Sequence, residues 1–176
     1  MRAEDRSASV ARVLSGDLCV GCGLCEGVGD GAFRMETCSR GYARPVQVGA
    51  VSDAAEQRIA AACPGLSLDG WPQDADTYWG PARQVGTAFA KDPQVRFEGS
   101  SGGALTALAT HALVNGLVDG VVHVSASTDH PLGNSVQVSR NVDEIRLGAG
   151  SRYAPSSPLD KLDVLLAGDE RFVFIG

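Results

Sequence analysis

The sequence lacks a long apolar run, a basic run and a P-loop, and each absence excludes a class of function. No stretch approaches the roughly 18 apolar residues that a membrane helix needs, so membrane insertion is not expected. Fifteen Lys and Arg stand against 21 Asp and Glu, giving a net charge of −6, so no nucleic-acid partner is expected. The motif G-x-x-x-x-G-K-[ST] does not occur, which argues against a P-loop nucleoside triphosphatase.

An export signal is missing as well. The first residues, Met1 to Ser7, are charged and have no apolar core of the kind found in secretory signal peptides. The five cysteines are odd in number, and without an export signal they indicate a reducing compartment where thiolates are free to bind metal. We therefore expect a cytoplasmic protein of one or two domains.

The cysteines themselves form the strongest pattern in the chain. Three of them have C-x2-C-x2-C spacing within Leu18–Cys25, and a fourth stands in a distant Cys-Pro pair. This arrangement is typical of the ligands of a 4Fe-4S cluster. Gly21 and Gly23 separate the three clustered cysteines and permit a tight backbone bend around sulfur. The candidate metal ligands are Cys19, Cys22, Cys25 and Cys63.

Structural zinc is the alternative for these cysteines, although zinc usually takes cysteines in pairs rather than in threes. In two-cluster ferredoxins a further Cys-Pro follows the triplet after three residues. Gly29 occupies that position here, so the sequence predicts a single cluster. Cys38 fits no ligand spacing and is interpreted as a spare thiol.

The cysteine motif lies in a segment with the pattern of half a ferredoxin fold. Strands are predicted over Ala32–Glu36 and Tyr42–Val48, followed by a helix over Asp53–Ala62 that returns the Cys-Pro pair to the loop. A short helix, Ser9–Leu14, precedes the loop. The predicted cluster domain comprises residues 1–68, and a turn-rich linker with both tryptophans follows over 69–81.

Residues 82–176 alternate strand and helix patterns and predict an α/β layer, which gives an α+β fold class for the whole chain. A strand is predicted over Val85–Ala90, and a helix is predicted from Ser157 to Ala167. Further predicted strands are Val121–Ser125, Ser135–Ser139 and Arg171–Ile175. Because a buried-type strand stands at the last residues, we expect the chain to be a truncated part of a longer polypeptide.

A serine-glycine stretch, Gly99–Gly103, directly precedes an apolar helix. Small residues at a helix N-terminus allow close approach of phosphate to backbone N–H groups, as in the pyrophosphate of FAD, although such stretches also simply cap helices. The residues concerned are Ser100, Ser101, Gly102 and Gly103.

The same stretch fits the G-x-S-x-G motif of hydrolases, with Ser101 central. That motif needs an acid and a histidine further along the chain. The only histidines are His111, His123 and His130, and His123 lies in an apolar strand typical of a core histidine. The usual hydrolase places its acid and histidine beyond further strands, which this chain lacks.

Taken together, these motifs resemble the beta-subunit family of coenzyme F420-reducing hydrogenases and dehydrogenases. The resemblance covers about residues 15 to 176. The matching segments are Leu18–Cys25, Gly41–Pro45, Cys63–Gly65, Ser100–Thr106, Gly116–Val122 and Gly150–Tyr153.

The resemblance implies an iron–sulfur flavoprotein with FAD and one 4Fe-4S cluster. Electrons would pass between the cluster, the flavin and a hydride carrier such as coenzyme F420, and no side-chain acid or base is assigned to catalysis. A hydrogenase, dehydrogenase or ferredoxin would be the partner protein. The resemblance also implies a second flavin-contacting loop, comprising Gly150, Ser151, Arg152 and Tyr153.

Two alternatives stay open at this point. The first is a ferredoxin-dependent reductase of another substrate on the same scaffold. The second is a zinc-stabilised, non-catalytic interaction module. The chain also departs from the family, whose members continue into a Thr-Pro-Cys turn and a large C-terminal domain that this sequence does not contain.

Overall fold

The computed structural model describes residues 5–130 and 132–176 of the chain. The chain forms short helices and strands joined by turns. Within the described residues the order is α1 (Ala8–Ser15), α2 (Leu24–Val28), β1 (Phe33–Thr37), β2 (Ala43–Gln47), α3 (Asp53–Ala62), α4 (Pro93–Glu98), α5 (Ala104–Val114), β3 (Gly120–Ala126), β4 (Asn134–Ser139), α6 (Val142–Leu147), α7 (Leu162–Leu165) and β5 (Phe172–Phe174).

The N-terminal part contains the predicted strand pair and the predicted helices, α1 and α3, together with the short helix α2, around one small core. Strands β1 and β2 pair in antiparallel register. Helix α3 begins where predicted, because the Ser52 hydroxyl accepts the Ala55 N–H and satisfies a free donor of the first turn. The buried core side chains are Val10, Ala32, Phe33 and Ile59, and Cys25 and Cys63 pack against them.

The C-terminal part contains a three-stranded sheet in the order β4-β3-β5. Strand β3 pairs with β4 in antiparallel and with β5 in parallel orientation. Helices α5 and α6 cover the sheet, and their shared core contains Ala109, Val121 and Ile145. The mixed helices and small sheets confirm the predicted α+β class.

Two predictions for this part are wrong at the level of local structure. The predicted strand Val85–Ala90 has no strand conformation. Val85 and Phe89 are exposed, and the Ala90 N–H donates to the Gly102 carbonyl rather than to a neighbouring strand. Helix α4 follows instead, because the Asp92 carboxylate caps it and a proline occupies its first turn.

The predicted helix from Ser157 to Ala167 is also largely wrong. Only α7 is helical, and turns precede it. The reason is that the Ser157 hydroxyl, expected to cap the helix, instead donates to the Gly21 carbonyl 136 residues earlier in the chain. Helix α2 was not predicted, since its five residues are too few for a periodic pattern.

Residues 69–81, the predicted linker, form turns and irregular backbone without a helix or strand. The Asp76 carboxylate accepts the N–H groups of Tyr78 and Trp79, which closes a tight turn. The Trp71 ring lies so close to Gly80 that a Cβ there would stand 3.0 Å from its Cε2 atom. Within residues 5–130 and 132–176, no helix has both the length and the apolar character required to cross a membrane.

Candidate functional site

The four predicted metal ligands line one pocket in the N-terminal part. Cys19 and Cys22 come from the loop that joins α1 to α2, Cys25 lies in the first turn of α2, and the fourth cysteine follows directly after α3. Helix α3 positions the fourth cysteine, because its backbone N–H donates to the Ile59 carbonyl and ends the helix there. The thiols brought together are those of Cys19, Cys22, Cys25 and Cys63.

The rest of the pocket wall is apolar. It contains Val10, Val13, Leu24, Met35 and Pro45, and it includes no carboxylate or imidazole. A donor set of sulfur alone in an apolar wall suits a soft metal centre, and iron–sulfur clusters use such thiolates. The cavity measures about 20 Å³. Among the described residues, no group of three or more His, Cys, Asp or Glu side chains has the arrangement of a metal-ion site.

The electrostatics of the pocket favour a bound cation. Desolvation raises the pKa of the Cys25 thiol to about 12, and the neighbouring Cys63, Cys22 and Cys19 sulfurs add to the effect. Desolvation also raises the pKa of Cys22, although the Leu24 N–H opposes it. Thiolates crowded in an apolar pocket repel one another, so a positive metal centre is what would keep them deprotonated.

Cys38 lies away from this pocket, between β1 and β2. Its pKa is lowered by the backbone N–H groups of Arg40 and Tyr42, and this contrasts with the raised pKa of Cys22 and of Cys25. The structure therefore places Cys38 outside the candidate ligand set, in agreement with its interpretation as a spare thiol.

Glycines between the cysteines have conformations that other residues adopt only with strain. Gly21 has φ of +77° and Gly23 has φ of +87°. A Cβ at Gly21 would lie 2.8 Å from the Ala43 carbonyl oxygen, and one at Gly23 would lie 2.8 Å from the Asp160 nitrogen. The close approach of the loop to its neighbours therefore requires glycine at both positions.

A segment from the C-terminal part packs against the cysteine loop. We call this segment, residues 156–162, the strap. The Ser157 hydroxyl donates to the Gly21 carbonyl over 2.9 Å, and the Leu159 N–H donates to the Cys22 carbonyl over 2.9 Å. Gly27 of α2 also lies directly against the strap, since a Cβ at Gly27 would stand 2.1 Å from the Leu159 carbonyl oxygen. Sequence reasoning missed this contact, because no local pattern reports a pairing across 136 residues.

The strap also contains a buried carboxyl group. The Oδ1 atom of Asp160 is shielded from solvent and has no hydrogen-bond partner among the described residues. Desolvation raises the pKa of this carboxyl, and the Lys161 charge opposes the effect.

The predicted flavin residues gather around a second, larger pocket between α5, β3 and the loop after α6. Its volume is about 520 Å³, within the range typical of small-molecule sites. Six of the eight predicted residues line it: Ser100, Ser101, Gly150, Ser151, Arg152 and Tyr153. Gly102 and Gly103 belong to the same loop as Ser100 and Ser101 but do not line the pocket.

The serine-glycine loop takes a left-handed course over three residues. Ser101, Gly102 and Gly103 have φ values of +50°, +68° and +67°. A Cβ at Gly103 would lie 2.3 Å from the Val95 carbonyl oxygen, so the loop is pressed against α4. Such strain in a non-glycine residue, here Ser101, is common at binding sites.

This loop leads into α5 without a side-chain cap. Helices α1, α3, α4 and α6 begin with side chains that accept first-turn N–H groups, namely Ser7, Ser52, Asp92 and Asn141. The first N–H groups of α5 receive no such cap. They lie beside the part of the pocket wall that contains Ser101 and Ala104. An anionic group such as a phosphate fits there, because the N-terminal end of a helix dipole attracts negative charge.

The second predicted loop is tied to the first. The Ser151 N–H donates to the Ser100 hydroxyl oxygen over 2.7 Å. The Arg152 guanidinium donates to the Asn134 side chain, whose amide in turn donates to the Ala154 carbonyl. Tyr153 remains 95% exposed at the rim.

His123 is the one histidine that lines this pocket, and it behaves as a core histidine. Its Nε2 atom lies 2.7 Å from the Ser139 Oγ atom, and the side chain is buried. Desolvation lowers the pKa of the imidazole, which the Val124 backbone only partly offsets. Because His123 is paired with Ser139 and not with Ser101, the geometry lacks the serine–histidine pair that a hydrolase needs.

The protein thus has an α+β fold with two candidate sites. One is a pocket lined by thiols, and the other is a pocket large enough for a small molecule. Residues 85–162 match the family described as coenzyme F420 hydrogenase/dehydrogenase, beta subunit N-term, and the resemblance seen in the sequence is thereby confirmed over this segment. The matched segment covers just under half of the chain and contains both predicted flavin loops and the strap, whereas the four cysteines precede it. No curated protein matches the chain. The family description supports an oxidoreductase role as a subunit.

Proposed function

We propose that this chain is an iron–sulfur flavoprotein oxidoreductase subunit. In this proposal Cys19, Cys22, Cys25 and Cys63 hold a 4Fe-4S cluster, and the larger pocket holds FAD. The first site belongs to a cluster domain over residues 1–68, and the second belongs to a flavin-binding domain over 82–176 after the linker. Electrons pass between the two cofactors and a hydride carrier such as coenzyme F420.

The observation that carries the proposal is the convergence of the four cysteine thiols from two separate parts of the chain. Cys63 is 38 positions from the nearest other cysteine of the set, yet α3 returns it to the same apolar pocket. Free cysteines without a shared role have no physical reason to meet in this way. Their number and type fit the cluster.

The flavin part of the proposal is supported by the uncapped start of α5 and the pocket beside it. The N–H groups of the first turn would bind the anionic pyrophosphate, and the Ser101 hydroxyl is placed to add a donor. The apolar wall formed by Leu105, Leu108 and Val121 would contact the ring system and exclude water from it.

When bound, a flavin supplies two-electron exchange with a hydride carrier and one-electron exchange with an iron–sulfur centre. The residues of this chain place the two cofactors and set their surroundings. Ser100 fixes the second loop of the flavin pocket through the Ser151 N–H. The cysteine loop is held by the strap, whose first residue, Ser156, lines the flavin pocket.

The absorption spectrum and metal content of anaerobically purified protein test the proposal. A broad band in the blue that bleaches with dithionite, together with about four irons per chain, is expected for a cluster of this type. A colourless protein that holds one zinc would overturn the cluster assignment and would favour the interaction module.

The hydride carrier is tested separately. We expect the reduced protein, containing FAD, to transfer electrons to coenzyme F420 in preference to NADP⁺. Anaerobic assays with coenzyme F420, NADP⁺ and ferredoxin side by side measure this preference. Exchange with ferredoxin and no exchange with F420 would instead favour a ferredoxin-dependent reductase of another substrate.

A further inference from the structure

The strap contacts the cysteine loop at two successive peptide groups. The Ser157 hydroxyl donates to the carbonyl of Gly21, and the Leu159 N–H donates to the carbonyl of Cys22. Both accepting groups belong to residues in the middle of the predicted ligand motif. The strap thus fixes the backbone of the loop between two candidate ligands.

These two bonds determine where the N–H groups of the same peptides point. A trans peptide is planar, and its C=O and N–H bonds point in opposite directions. The Gly21 carbonyl and the Cys22 N–H belong to one peptide, and no peptide in the described residues is cis. When Ser157 holds the carbonyl, the Cys22 N–H is directed away from the strap.

The thiol pocket is lined by the cysteine loop and not by the strap. The backbone N–H groups of Cys22 and Leu24 are near enough to the Cys22 sulfur to oppose the rise that burial causes in the pKa of this thiol. Cys22 and Gly23 line the thiol pocket, whereas Ser157 does not. Hydrogen bonds from backbone N–H groups to cluster sulfurs are one of the factors that set the reduction potential of an iron–sulfur cluster.

The packing leaves the strap little freedom to move relative to the loop. A Cβ at Gly23 would stand 3.0 Å from the Ser157 Cβ atom, and one at Gly27 would stand 2.9 Å from the Leu162 Cβ atom. Ser157 is partly buried, so its hydrogen bond is shielded from competition by water.

We propose that Ser157 is a positioning residue for the cluster, because its hydroxyl orients the Gly21–Cys22 peptide so that the Cys22 N–H faces the cluster sulfurs. This inference rests on the proposed function. It assigns to the C-terminal part of the chain a role in setting the potential of a centre whose ligands all lie in the N-terminal part.

The test is a redox titration of the full chain, purified anaerobically with its cluster and followed by electron paramagnetic resonance. We expect Ser157→Ala to retain about four irons and to have a more negative midpoint potential than the wild type. The reason is that the reduced cluster carries the additional negative charge and loses an N–H dipole directed at it. Ser157→Thr, which keeps the hydroxyl, should restore the wild-type potential.

Ser125→Ala is the matched control. Like Ser157→Ala, this substitution removes a serine hydroxyl that has a hydrogen-bond partner, here the Ser135 hydroxyl. Ser125 lies on β3, away from the cysteine loop. The control should keep the wild-type potential. An unchanged potential in Ser157→Ala, in protein that contains its cluster, would overturn this inference and leave the proposed function intact. A wild-type chain that binds no iron would overturn the proposed function itself.

A second measurement covers the case in which Ser157→Ala does not retain its cluster. Hydrogen–deuterium exchange of the metal-free chain reports directly on the Cys22 and Gly23 amides. Faster exchange in Ser157→Ala than in Ser157→Thr supports the positioning role. Equal exchange in the two variants contradicts it.

Discussion

The two pockets have similar walls but very different volumes. The thiol pocket borders the buried core of Val10, Phe33 and Ile59, yet Val20 on its wall is 69% exposed. The larger pocket likewise combines buried and exposed apolar side chains on its wall. The first cavity measures about 20 Å³ and the second about 520 Å³, so only the second has open volume for a small molecule.

The two sites also differ in how their loops are fixed. The cysteine loop is held by close backbone packing, with Gly21, Gly23 and Gly27 in positions where a Cβ would collide. The second predicted flavin loop, in contrast, is held by single polar contacts such as that between Ser151 and Ser100, and a Cβ at Gly150 would meet nothing within 4 Å. Mutations should therefore damage the first site by steric exclusion and the second by filling its open volume.

The largest effect is expected from loss of a candidate ligand. Cys25→Ser should abolish the cluster absorbance and reduce iron far below the expected value of about four per chain, because serine replaces a soft thiolate donor. Iron analysis and the visible spectrum measure the effect. Cys38→Ser is the matched control and should retain full iron content, and a loss of iron in this control would make Cys38 a ligand.

The next largest effect concerns the open pocket. Ser101→Trp should weaken FAD binding by more than about 100-fold, since the indole would fill the space beside the first turn of α5. Equilibrium dialysis or flavin fluorescence gives the dissociation constant. Ser127→Trp places the same bulk in the loop after β3, outside the pocket, and should bind FAD normally. Normal binding by Ser101→Trp would remove the serine-glycine loop from the flavin site.

A smaller effect tests the packing between α2 and the strap. Gly27→Ala should lower the free energy of unfolding by about 2 kcal/mol, because the new Cβ would stand 2.1 Å from a backbone oxygen that has little room to move. Urea unfolding measures this change. Gly86→Ala is the control, since nothing lies within 4 Å of its Cβ position. Equal stability of the two variants would mean that the strap is not packed on α2.

The smallest effect is a pH dependence at the start of α1. Desolvation raises the pKa of Glu56, but hydrogen bonds from the Ser7 hydroxyl and the Ser9 N–H outweigh it and hold that pKa below its usual value. The stabilisation is therefore present above the unfolded pKa of 4.5 and is lost as pH falls through the lower folded value. Because the carboxylate is mostly accessible to solvent, we expect it to contribute only about 1 kcal/mol.

Urea unfolding at pH 7 and pH 4 measures this dependence. The wild type should lose more stability between these values than Glu56→Gln, which has no charge to lose. Identical pH dependence in the two proteins would contradict the role of Glu56 at the helix start.

Much of the fold could be predicted because its signals are local. Ser52 and the Pro after Cys63 define α3, and both act within a few residues of the helix ends. The strand pair around Cys38 was predicted for the same reason. The C-x2-C-x2-C spacing together with the distant Cys-Pro pair similarly identified the four thiols that line one pocket.

The parts that could not be predicted depend on distant partners. The sequence around Ser157 favours a helix cap, and only the nearby Gly21 carbonyl draws the hydroxyl elsewhere. The apolar pattern of Val85–Ala90 favours a strand, but no neighbouring strand is present to pair with it. The strap is the clearest case, since each of its contacts with the cysteine loop spans more than 130 residues.

The strap also has a consequence for the order of assembly during synthesis. The cysteine loop is synthesised well before Ser157 and Leu159, because more than 130 residues separate the loop from the two residues whose hydrogen bonds fix its carbonyls. Contacts of such long sequence separation form late in folding. A chain whose synthesis stops before the strap therefore carries all four cysteines without the backbone restraint that orders them.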